Sequence, residues 1–222
     1  MKNSYLIAGA IVVVAIIAFV VASRKSEAPV EKVTQNEQAG VTLTDGNYKL
    51  DTDQSTIRWT GETVTGLKKY EGTVKVKSGT VMVEQGGIKS GSFEIDMQTL
   101  TDDLNTVDLV SHLKSSDFFA VDAYPLAKFE ITSFAPISEA STNLGRYVIG
   151  GNLTIKDVTK PISLIATLSE TENKIRVSAS FAINRAEWNV KFGSSTFFEG
   201  LGDKAVRDAI EINMDLVATQ SD

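Results

Sequence analysis

Polar and apolar residues alternate with period two along most of this chain, and that constrains the fold more than any other feature. Ile57 and Trp59 flank Arg58, and Val74 and Val76 flank Lys75. Phe93, Ile95 and Met97 interleave with Glu94 and Asp96, and Phe129 and Ile131 with Lys128, Glu130 and Thr132. Four further runs place Tyr147, Ile149, Gly151, Leu153 and Ile155 on one face, then Ile162, Leu164, Ala166 and Leu168. The last two carry Ile175, Val177, Ala179, Phe181 and Ile183, then Ile210, Ile212, Met214 and Leu216. Successive side chains of a strand point to opposite faces, so each run describes a strand with one buried and one wet face. Gly86-Gly87, Asn143 to Gly145 and Glu172-Asn173 punctuate them as turns. The pattern predicts an all-β fold of about eight antiparallel strands, as a closed barrel or a two-sheet sandwich. Closure removes the edge strands that would otherwise template aggregation. One helix is expected, over Thr106 to Lys114, with Val107, Val110 and Leu113 at helical spacing.

An eight-stranded barrel either fills its interior or holds one small ligand. Gly151, Ala166 and Ala179 occupy central inward positions. Small residues there would leave a channel, or they would simply fit the taper of a packed barrel. The aromatics Trp59, Phe93, Phe129, Phe181, Phe192, Phe197 and Phe198 face the same choice between a tunnel wall and ordinary core packing.

The first segment is different in kind. From Tyr5 to Ala22 no residue is charged. A helix of that length rises about 27 Å, near the hydrocarbon thickness of a bilayer. Residues 1–22 therefore read as a hydrophobic helix, either a transmembrane anchor or a signal peptide with Val20-Val21-Ala22 as its cleavage site. Residues 23–46 are polar and without a sustained period, which predicts a flexible linker, and the barrel domain is expected over 47–219. The net charge of -6 and pI near 5.0 argue against a nucleic-acid partner. Zero cysteines remove thiol catalysis, disulfides, cysteine metal sites and a lipid-modified cysteine.

One stretch, His112 to Glu130 (HLKSSDFFAVDAYPLAKFE), is neither clean strand nor clean helix. It holds the only histidine together with Phe118, Phe119, Tyr124 and Pro125. An insert of this length reads as an ordered cap or a binding element. Asp108 lies one helical turn before His112, but two ligands do not make a metal site. Asp102 and Asp103 near the helix start read as caps or dipole partners. No metal set and no catalytic residue is expected. Arg185 ends an apolar strand, where it would pair with a ligand phosphate or quinone oxygen, or else with Glu187 or an acidic loop residue.

Three segments together resemble the YceI family of lipocalin-like, polyisoprenoid-binding proteins: His112 to Glu130, Gly151 to Leu164 (GNLTIKDVTKPISL), and Ile183 to Val190 (INRAEWNV) followed by an acidic, alternating last strand. The resemblance covers Tyr48 to Ala218. It implies an extended antiparallel eight-stranded lipocalin-like barrel with a long isoprenoid lipid in an apolar tunnel, and an exported location. On that basis the tunnel lining is expected from Trp59, Phe93, Ile95, Phe129, Ile131, Ile149 and Leu153, and from Leu164, Ala166, Val177, Ala179, Phe181, Ile212 and Met214. His112, Phe118, Phe119 and Arg185 are the expected head-group or lid residues. Asp157 and Asn189 stand where the family usually has glycine, and both are types that tolerate left-handed backbone.

The expected function is non-enzymatic binding, carriage or sequestration of an isoprenoid lipid, a quinone or polyprenyl phosphate. The rivals are a membrane-tethered interaction module with a filled barrel, and a lipid-acting hydrolase or isomerase using His112 with an aspartate. The expected partners are the lipid and, through the N-terminal helix, the membrane; a homodimer is left open, and no cofactor is expected beyond the bound lipid. The expected location is extracytoplasmic, periplasmic or at the cell surface, anchored by residues 5–22, or secreted if that segment is cleaved.

Overall fold

A computed structural model describes residues 41–137 and 145–221. Nine antiparallel strands form one closed barrel. They are β1 (Gly46–Leu50), β2 (Thr56–Glu62), β3 (Lys69–Glu84), β4 (Gly87–Asp96), β5 (Leu126–Pro136), β6 (Gly145–Ile155), β7 (Val158–Thr171), β8 (Lys174–Asn184) and β9 (Ala209–Ser221). β2 to β9 are the eight runs legible in the sequence. β1 and β2 both lie between β3 and β9, one beyond the other: Tyr48 pairs with Val81 and Gln220, Trp59 with Gly72 and Ile212. Nine strands thus fill eight barrel positions, and the β3–β4 pairing completes the ring. The sandwich alternative does not occur. The expected N-terminal helix of residues 5–22 lies outside the described residues, and no helix among those described is long and apolar enough to cross a membrane.

The alternation works as the side-chain period requires. In β6 the burial sequence puts Tyr147, Ile149, Gly151, Leu153 and Ile155 inside. Where the period slips, a bulge resets it. A register shift between Ile131 and Ser133 lets both Ile131 and Phe134 pack on the core although they are an odd three positions apart.

The two barrel ends differ. At the end formed by β1 and the finish of β9, Leu43, Tyr48, Val83, Leu168 and Ile175 are almost wholly buried. The Tyr48 hydroxyl donates to Thr44 O (2.8 Å) and Glu170 Oε1 (3.1 Å), and Tyr147 donates to Val41 O (2.7 Å) while stacking on Phe134. Burial pushes both phenols above their ordinary pKa, helped at Tyr48 by Glu170. Residues 41–46, which the sequence places at the end of the linker, are therefore packed here; Leu43 also donates its N–H to Gly86 O.

The opposite end carries the long connections: residues 97–125 with helix α1 (Val107–Lys114), and residues 185–208. Thr106 is the N-cap residue of α1 but makes no side-chain cap hydrogen bond; its N–H donates to Asp102 Oδ2 (2.9 Å). The inward face of the helix differs from the expected one. Val107 is exposed, and Leu109, His112 and Leu113 face the barrel, because the preceding loop is fixed by Asp102 and by Asp103 N–H on Glu71 O. Asp103 pairs with Arg58. Both acids are thus committed to structure rather than to a metal.

Candidate functional site

The barrel is not filled. Beneath α1 lies a cavity of about 330 Å³ with an almost wholly apolar wall. Each stave contributes from its half nearest the helix: Trp59 from β2, Tyr70 and Val74 from β3, Phe93 and Ile95 from β4, Phe129 from β5, Leu153 from β6, Leu164 from β7, Phe181 from β8, Ile212 and Met214 from β9. A second, smaller space of about 40 Å³ lies deeper, walled by Ile131, Ile149 and Val177 together with Phe93, Phe129, Leu164 and Met214.

Twelve of the fourteen expected lining residues are thus in one wall or both. Ala166 and Ala179 are the exceptions, and the physical reason corrects the small-residue argument. Ala166 pairs with Ala179, which pairs with Met214, so the row is one of two short side chains beside a long one. Ala166 borders neither space, and Ala179 borders only a shallow outer depression. Gly151 leaves no void either. A Cβ there would stand 2.3 Å from the Cζ of Phe129, so the missing side chain is the seat of an aromatic ring. Gly72 makes room chiefly for the Thr101 carbonyl, whose oxygen lies 1.9 Å from where its Cβ would stand, and then for Trp59, whose Nε1 donates to that carbonyl (3.1 Å).

All four expected lid residues, His112, Phe118, Phe119 and Arg185, border the larger cavity. The His112 ring meets Phe118 (5.3 Å) and Phe192 (4.4 Å) edge-on. Its Nε2 lies 3.7 Å from Asp117 Oδ2, so the acid nearest it follows the helix rather than being Asp108 on it. Ser115 caps the turn after the helix: its Oγ donates to His112 O (2.8 Å) and accepts from Asp117 N–H (3.3 Å).

Of the two roles expected for Arg185, the structure shows the ion pair with an acidic loop residue rather than the head-group ligand. It is 1 % exposed, and its donors are taken up by the protein. NH1 donates to Val190 O and Phe192 O (2.8 Å each), Nε to Arg207 O (3.2 Å) and NH2 to Val206 O (3.3 Å). Its ion pair is with Asp208 (3.4 Å), not Glu187, which lies 3.9 Å from Lys160. Burial lowers the Arg185 pKa from its ordinary value, and Asp208 opposes the shift. The other Asp208 oxygen accepts from Ser194 and Thr196. Arg185 is therefore the clamp that shapes the 185–208 loop, and it lends the cavity an edge rather than free donors.

The three segments that carry the family resemblance meet here. Trp188 donates from Nε1 to Leu153 O (3.0 Å), and Lys156 Nζ bridges Phe118 O (3.3 Å) and Asn189 O (3.4 Å). The Arg185 guanidinium carbon sits 5.5 Å from the Phe118 ring centroid. Asn189 adopts the expected left-handed conformation (φ 59°); in the β6–β7 turn Lys156 does so (φ 55°) and Asp157 does not.

Sequence reasoning missed Leu109 and Leu113 of α1 and the cations Lys204 and Arg207 as lining residues, whereas Phe192 of the 185–208 loop, one of the candidate tunnel aromatics, does line the cavity. Only Leu113 stood in a recognisable period. The basic wall of His112, Arg185, Lys204 and Arg207 faces no lining carboxylate. Arg207 is held by Glu62 (2.8 Å), whereas Lys204 makes no ion pair among the described residues. Phe197 and Phe198 lie outside the cavity, about half exposed. They belong to an apolar rim with Val64, Leu67, Leu104, Val107 and Phe192. Hydrogen bonds tie this rim to the barrel mouth: Val64 N–H to Ala205 O, and Val206 N–H to Gly193 O.

A closed antiparallel barrel with an apolar chamber under a short helix defines the class of the molecule. Residues 48–218 match the YceI-like domain family, and the chain belongs to it. A UPF0312 protein of Photorhabdus laumondii is 29% identical over 140 residues, which covers 63% of this chain and 69% of that protein. Protein YceI of Salmonella arizonae is 32% identical over 103 residues, 46% of this chain and 51% of that protein. For most of the curated relatives reported, the matched stretch is about half of their length. The crystal structure of Burkholderia cenocepacia BcnA superposes with a TM-score of 0.59 at 23% identity, covering 77% of this chain and 99% of that one. A polyisoprenoid binding domain from Saccharophagus degradans gives 0.60 at 13% identity, with 78% and 98% covered. At those identities the shared property is the fold.

Proposed function

We propose that this protein is a non-enzymatic carrier or sequestering protein for an isoprenoid lipid, held tail-first in the chamber beneath α1. The observation that carries the reading is the chamber itself: about 330 Å³, apolar throughout its depth, with its charged groups confined to the mouth. A filled barrel would have no such space. A tail that hides about 400 Å² would gain roughly 10 kcal/mol gross at ~25 cal/mol per Å². Association and ordering consume much of that gain. The basic mouth favours a polyprenyl phosphate over a quinone, with Lys204 as the cation free to meet the phosphate. The likeness to a polyisoprenoid binding domain supports the same ligand class. The proposed setting is extracytoplasmic and membrane-anchored through residues 5–22, with the lipid loaded from a bilayer across the apolar rim.

Native mass spectrometry of the full chain purified from its own cells tests the proposal. A copurifying prenyl lipid is the expected result. Protein that is always empty, and whose melting neither prenols nor prenyl phosphates shift, overturns it.

A further inference from the structure

Phe93, Phe129, Leu164 and Met214 are the four side chains common to the 330 Å³ chamber and the 40 Å³ space below it. They form a waist. Its two rings lie 5.4 Å apart, tilted by 38°, on the neighbouring strands β4 and β5, where Phe93 pairs directly with Phe129. The Phe129 ring is seated by a glycine, since Gly151 on β6 has no Cβ where that ring passes; a Cβ on Gly79 of β3 would meet Leu50 Cδ1 first (2.2 Å) and Cβ of its cross-strand partner Phe93 next (2.7 Å). A ring set over a strand glycine gains a recess in which to lie flat against the backbone. Phe129 is 4 % exposed.

The space beyond the waist has little more than the volume of one water, is lined by hydrocarbon, and lies where the barrel is already well packed. Along β9 the chamber runs from Ile210 to Met214, about 13 Å at ~3.3 Å per residue, and the deeper space continues to Ala218 for about as far again. The barrel is thus long enough for a longer tail, but the rings close its lower half.

Resting on the lipid-binding reading above, we infer that Phe93 and Phe129 are the stop that sets how long a prenyl chain this barrel accepts. Short tails end on the rings. Long tails must leave part of their length outside the mouth, in water, and so lose the benefit of burial. Replacing both rings would join the two spaces and add the rings' own volume to the chamber.

The test is competition among farnesol, geranylgeraniol and solanesol for the full chain, read by native mass spectrometry. Wild type, Phe93→Leu, Phe129→Leu and the double alanine variant are compared. The wild type is expected to retain the short prenols over solanesol, and the double variant to shift the ratio towards solanesol by about tenfold, equivalent to ~1.4 kcal/mol. Should the double variant not fold, the leucine variants carry the test, since each removes ring depth but keeps an apolar side chain; a shift in the same direction supports the stop. A wild type that takes solanesol as readily as farnesol overturns it. So does an unchanged ratio in folded variants, while short-prenol binding would leave the lipid-binding reading standing. A wild type that binds no prenol or prenyl phosphate overturns that reading itself.

Discussion

Arg185 shows how a single residue acquires a role that its sequence neighbourhood does not announce. Its guanidinium fork serves carbonyls at 190, 192, 206 and 207, and its charge is met by Asp208. Removing it would leave four carbonyls without that donor and a carboxylate without its counter-charge at a site only 1 % exposed. Arg185→Met is therefore expected to cost about 3–5 kcal/mol of stability, the range for breaking a buried pair, measured by urea unfolding. Arg185→Lys should recover only part of this, because one ammonium cannot reproduce the planar fork. A loss below about 1 kcal/mol, as at exposed pairs, would show that the clamp is dispensable. Gly151 teaches a parallel lesson. Its place on an inward row was legible, but whether a missing side chain leaves space or seats a ring depends on Phe129, a residue more than twenty positions away on the neighbouring strand.

At the scale of elements, α1 and the turn after it form the roof of the chamber. Phe118 is 8 % exposed and lies against His112, Phe119, Phe192 and Arg185, so it is both core and lid. Phe118→Ala should lower stability by about 3 kcal/mol, as buried aromatic truncations do. It should also speed prenol release about tenfold at temperatures well below the variant's own melting. Release measured by competitor chase, unchanged in folded protein, would reduce Phe118 to a packing residue. The strands were legible because period-two burial is a local signal, and eight of the nine could be read from it. β1 escaped because only Tyr48 and Leu50 point inward over its five residues, and because it shares a barrel position with β2. The helix could be located, but its inward face could not, since Asp102 and Asp103 fix its rotation through partners outside it. The 185–208 loop had no period to read; its shape is set by one buried guanidinium.

The whole molecule has a polarity that no element shows alone. Among the described residues, seven of the eight most exposed large apolar side chains belong to loops or the helix at the mouth end; Ile165 is the other. Val41, where the described chain begins, is bonded to Tyr147 at the opposite end. On the proposed function this geometry sets a rate rather than an affinity: the rim has to enter the lipid surface before a tail can slide into the chamber without crossing water. Leu67 and Leu104 are 78% and 81% exposed and line neither internal space. The double substitution Leu67→Asp, Leu104→Asp is therefore expected to slow prenol uptake from phosphatidylcholine vesicles about tenfold, because charges resist entry into the apolar layer. Equilibrium retention of prenol and the melting temperature should stay close to wild type. Uptake followed with a radiolabelled prenol distinguishes the cases: an unchanged rate would mean that the lipid reaches the barrel through water and that the rim takes no part in loading.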